Sequence, residues 1–116
     1  LATALARAPR DQGGRMLFAL LALKAGDAPR ARATLESLAR EAPRDAGVQN
    51  LLGVLRAADG DEDGARAAFA EALALAPEDS TADFNLARLE LAAGEAEAAR
   101  RRLEALVQRE PRADQA

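Results

Sequence analysis

Residues 46–79 read AGVQNLLGVLRAADGDEDGARAAFAEALALAPED. Val48, Leu51, Leu52 and Leu55 recur at three- and four-residue spacing, the period of a helix with one apolar face. Asp59-Gly60-Asp61 then interrupts the pattern. A glycine there supplies the left-handed residue that closes a helix, and the acid after it suits the positive start of the next. Ala65, Ala68, Phe69, Ala72 and Leu73 restore the helical spacing, and the pattern stops short of Pro77, as the restriction on the residue before proline demands. The stretch is predicted to be a helical hairpin.

The same design extends in both directions. Pro9, Pro43, Pro77 and Pro111 lie 34 residues apart, as do Gly26, Gly60 and Gly94. The bulky residues Leu1, Leu35, Phe69 and Leu103 keep this interval, and so do Ala31, Ala65 and Ala99. Ala-Gly-Asp at 25–27 and Ala-Gly-Glu at 93–95 repeat the central turn. Phe84, Leu86, Leu89 and Leu91 repeat the apolar pattern of a first helix, and Pro29 falls where the first turn of a second helix needs no N–H. A hairpin this short cannot bury its apolar stripe alone, so stacked copies sharing one core are expected.

Composition agrees. The chain has 116 residues, and about 28% of them are Ala, against ordinary usage well below that. Ala, Leu, Arg and Glu favour helix, while Ile is absent and Val and Thr number three each, which excludes a β-sandwich or barrel. With no Cys and no His there is no disulfide framework, thiolate nucleophile, imidazole base or Cys/His zinc site. The longest apolar run, 16–23, is far below the roughly 20 residues of a membrane span. The chain opens at Leu1 in mid-pattern, as expected of a piece cut from a longer protein; the compartment, cytoplasm or periplasm, is not readable.

A 34-residue helix-turn-helix with small, large, small and Pro at fixed offsets resembles the tetratricopeptide repeat (TPR). With the closing Pro at position 32, the units are 12–45, 46–79 and 80–113, and residues 1–11 match the end of a preceding repeat, so a single array covers 1–116. Position 8 is Ala19, Gly53, Ala87; position 20 is Ala31, Ala65, Ala99; position 24 is Leu35, Phe69, Leu103; position 27 is Leu38, Ala72, Leu106. The family's usual Trp at position 4 is replaced by Arg15, Gln49 and Asp83, and its usual Tyr at position 11 by Ala22, Arg56 and Glu90. The resemblance implies an all-α, right-handed α-solenoid of antiparallel helix pairs. The Ala- and Arg-rich units are similar to those of bacterial TPR proteins of envelope and polysaccharide-export systems.

Three features could carry other chemistry. Asp59-Gly60-Asp61-Glu62-Asp63-Gly64 reads like the opening of an EF-hand loop, but the twelfth position is Ala70, not the bidentate Glu, and Gly60 belongs to the recurrent turn. Arg100-Arg101-Arg102 spreads over about 200° of a helix, with Glu97 and Glu104 at pairing distance along it. Net charge is +3 over 1–45, −5 over 46–79 and −1 over 80–116, with no aromatic platform, which argues against nucleic acid. The carboxylates assemble into no active site. The chain is expected to be neither an enzyme nor a holder of metal or cofactor.

In the TPR family the inner face is lined by first helices. Carried over by position, that face holds Met16, Leu20, Leu23, Lys24, Asn50, Val54, Phe84, Asn85, Arg88 and Leu91. Its apolar members form a stripe, with Asn50, Asn85, Lys24 and Arg88 as polar handles. The family's clamp for C-terminal carboxylates has no counterpart, since Met16, Leu20, Leu51, Thr81 and Asn85 stand at its places. The resemblance therefore implies a non-catalytic scaffold that buries a protein or peptide segment with apolar anchors. The alternative is a structural spacer, or a segment that associates end to end with itself, within a longer TPR protein, such as an adaptor of a bacterial envelope or export system.

Overall fold

The computed structural model describes residues 11–109, which form six α-helices: α1 (Gln12–Lys24), α2 (Ala28–Glu41), α3 (Ala46–Ala58), α4 (Glu62–Leu75), α5 (Thr81–Ala92) and α6 (Ala96–Arg109). The chain is an all-α helical repeat solenoid. The expectations placed on Leu1, Pro9 and Pro111, and on 1–10 as the end of a preceding repeat, lie outside the described residues.

Each hairpin closes as the turn chemistry requires. Gly26, Gly60 and Gly94 adopt φ of 79°, 82° and 82°, the left-handed region that other residues enter at a cost of about 1–2 kcal/mol. Asp27 and Asp61 then cap α2 and α4, accepting hydrogen bonds from Arg30 N at 3.4 Å and Gly64 N at 2.9 Å. Asp11 and Asp45 cap α1 and α3 in the same way. Ser80, at the start of α5, makes no side-chain cap; Asp79 just before it accepts from Thr81 N at 3.0 Å and Thr81 Oγ1 at 2.8 Å. The Thr81 amide, then its hydroxyl, hold the Asp79 carboxyl below its ordinary range.

The core follows the apolar periodicity. Leu35, Leu38, Val48, Leu52 and Leu55 join small residues such as Ala19, Ala31 and Ala68 in one cluster spanning α1 to α4. Ala65, Phe69 and Leu86 continue it between α4 and α5. Each fully buried Leu or Val contributes about 1.5–3 kcal/mol. The small residues set the helix spacing. A methyl added to Gly53 would lie 2.4 Å from Phe69 Cε1, so glycine there is what lets α3 meet the ring on α4.

Polar contacts stitch neighbouring hairpins. Arg32 on α2 pairs with Asp59 after α3, and 34 residues on, Arg66 on α4 pairs with Glu95 before α6 at 2.7 Å. Arg100, the next in this series, bonds to Glu97 and Glu104 on its own helix, the pairing its spacing predicts.

Candidate binding groove

Two adjoining cavities run along the first helix of each pair. The larger, about 500 Å³, is bounded by Met16, Leu17 and Leu20 of α1, by Gly47, Asn50, Leu51 and Val54 of α3, and by Asp79, Thr81 and Asn85 at the start of α5. The smaller, about 390 Å³, lies between Val54, Ala57 and Ala58 of α3 and Asn85, Arg88, Leu89 and Ala92 of α5, with Phe69 at its floor. Val54 and Asn85 border both, so the two form one trough.

Of the sequence-predicted residues, Met16, Leu20, Asn50, Val54, Asn85 and Arg88 meet in this trough. Phe84 and Leu91 are exposed on α5, at 47% and 56%, outside the cavity linings. Leu23 is half-buried against the first core cluster, and Lys24 is exposed at the end of α1. Asn50 and Asn85 do not both point free amides outward. Asn50 is buried, and its Oδ1 accepts from Asn85 Nδ2 at 3.2 Å, tying α3 to α5 at the junction of the cavities. Gly47 makes room for Met16, whose Cε would lie 2.8 Å from an added methyl.

Sequence reasoning did not include Leu17 or Leu51 among the ten inner-face residues, yet both line the larger cavity. It did not select Asp79 or Thr81, which sit before and at the start of α5 and enter the wall because that helix begins beside α3. The signal available was the 34-residue recurrence of Asp11, Asp45 and Asp79.

A second cavity cluster lies between α5 and α6, around Asp83 and Glu90. Both acids are buried at positions where TPR units usually carry aromatic residues. Arg102 donates to Glu90 at 3.1 and 3.0 Å and lies 3.5 Å from Asp83 Oδ1; Arg109 lies 3.7 Å from Asp83 Oδ2. Arg102 holds the Glu90 carboxyl below its ordinary range, against the opposing effect of burial. Asp83 Oδ2 has no hydrogen-bond partner.

Among the described residues, no helix is long and apolar enough to cross a membrane, and no group of three His, Cys, Asp or Glu is placed to hold a metal ion. In the acidic stretch 59–63, Asp59 pairs with Arg32 and Asp61 caps α4.

No curated protein matches the chain. Two tetratricopeptide repeat family models match it, over residues 16–80 and 56–116. Such repeats serve as protein-interaction scaffolds and are typically non-catalytic. Six helices on a 34-residue recurrence, turned at left-handed glycines and matched by both models, place the chain in the tetratricopeptide repeat family.

Proposed function

We propose that this chain is a binding module that buries a partner's protein segment along the first helices of units 12–45, 46–79 and 80–113. The carrying observation is the continuity of the trough: Met16, Leu17, Leu20 and Leu51 join through Val54 to a second apolar cavity floored by Phe69. Contiguous apolar surface bounded by a few polar groups is what a segment with apolar anchors requires. Met16 supplies an adaptable wall, and the Asn50–Asn85 pair fixes the junction. The test is a pull-down from source-cell lysate with the native chain and with Leu20→Ser/Val54→Ser/Arg88→Glu, both checked for equal helicity and size. A protein retained by the native chain alone supports the groove; equal recovery by both counts against it.

A second reading is self-association. Leu21 on α1 and Val107 on α6 are 57% and 68% exposed, outside both cavities. Sedimentation velocity of the native chain against Leu21→Glu/Val107→Glu tests it: a larger species lost in the variant supports this reading, and an unchanged monomer excludes it.

A further inference from the structure

Arg88 is the sole basic residue among those lining the two cavities. Its counterparts 34 and 68 residues earlier, Val54 and Leu20, are apolar, so the cation interrupts the stripe on α5 alone. Arg15, Arg32, Arg66, Arg100 and Arg102 each meet a carboxylate. Arg88 is exposed and has no such partner among the described residues. Phe84, four residues before it, and Leu91, three after, share its side of α5 and are themselves exposed. Arg88 thus lies along the helix between two exposed apolar residues, on the lining of an apolar cavity.

A wholly apolar segment laid here would strip water from Arg88 and return no hydrogen bond, which is costly. A carboxylate would return two charge-assisted bonds in a setting drier than bulk water. The other cavity holds Asp79 as its one charged lining residue, and that acid repels a second carboxylate. One cavity of the trough therefore carries a cation and the other an anion.

We infer that the partner segment carries an Asp or Glu flanked on both sides by apolar residues, with its carboxylate on Arg88 and its flanks on Phe84, Leu91 and the adjoining cavity. This inference rests on the groove reading above and adds to it the charge and order of the ligand.

Selection from a random dodecapeptide display library tests it, using the native chain and Arg88→Glu in parallel. Arg88 is exposed, so its replacement leaves the fold intact, which circular dichroism checks. The native chain is expected to enrich Asp or Glu between apolar residues, and Arg88→Glu to enrich Lys or Arg at that place. A peptide from the native selection, resynthesised, should bind Arg88→Gln about tenfold to hundredfold more weakly. Leu17→Asp and Ala57→Asp, each at an exposed position on one cavity, report whether selected peptides occupy the trough. Peptides that lose binding to either of these yet show no acidic preference overturn the inference and leave the groove reading standing. Peptides indifferent to both, and to Arg88→Glu, overturn the groove reading and this inference with it.

Discussion

Asn85 Nδ2 donates to Asn50 Oδ1 at 3.2 Å, joining α5 to α3 where the two cavities of the trough meet. The residues lie 35 positions apart, one repeat and one residue, so the bond links neighbouring first helices rather than the helices of one hairpin. Asn50 is buried and Asn85 half-buried, so the bond is partly buried. Asn50→Ala and Asn85→Ala should each cost about 1 kcal/mol. The double variant should cost less than the sum of the two, because the same bond is lost in all three. Urea unfolding of the four proteins measures that coupling.

The contact of Gly53 with Phe69 gives a second expectation. In an exposed helix, Gly→Ala stabilises by about 1 kcal/mol. Here the added methyl meets a ring carbon at 2.4 Å, and overpacking costs about 1–3 kcal/mol. Gly53→Ala should therefore lower the thermal midpoint. In the Phe69→Leu background, where the ring is gone, the same change should be neutral or stabilising, as scanning calorimetry would register.

The Arg102–Glu90 pair makes stability depend on pH. Its bidentate hydrogen bonds depress the Glu90 pKa in the folded chain. The resulting stability is fully present above the unfolded glutamate value, near 4.5, and is lost as pH falls through the depressed folded value. Glu90→Gln should cost about 1.5–3 kcal/mol at neutral pH. The gap between the two proteins should narrow as the medium is acidified below that value, which urea titrations across the acid range would follow.

One pair of positions shows charges exchanged across the array. Arg15 reaches Glu41 at 2.7 Å, and the residues 68 further on, Asp83 and Arg109, face each other at 3.7 Å with the signs reversed. Exchanging Arg15 and Glu41 should then be tolerated. Arg15→Glu alone should destabilise by placing two acids together, and Arg15→Glu/Glu41→Arg should recover most of the loss. Glu41 is half exposed, so the coupling should be at or below about 1 kcal/mol, read by a double-mutant cycle in urea.

The helices and turns were legible because local rules govern them. Proline spacing, glycine turns and capping acids are short-range signals, and the left-handed φ of Gly26, Gly60 and Gly94 answers them directly. Ala19, Ala31, Leu35 and Phe69 fell in the core as their periodicity required. The groove was legible only in part, since family positions name a helix face but not the tilt between helices. Leu17 and Leu51 came to line the larger cavity, while Phe84 and Leu91 stayed outside the linings. The pairing of Asn50 with Asn85 depends on the spacing of α3 and α5, which no residue pattern states. The buried acids Asp83 and Glu90 stand where an aromatic residue was the family norm, and only the fold shows Arg102 between them.

The trough, not the outer surface, is proposed to receive the partner. Site-specific photo-crosslinking tests it most directly, in source-cell lysate, with p-benzoylphenylalanine replacing Leu17 in the trough or Ala70 on α4. Both positions are exposed, so both variants should fold. Position 17 should give a protein adduct that Arg88→Glu/Val54→Ser abolishes, and position 70 none of the same mass. An equal adduct from position 70, or one from position 17 that persists with Arg88→Glu/Val54→Ser, would contradict it.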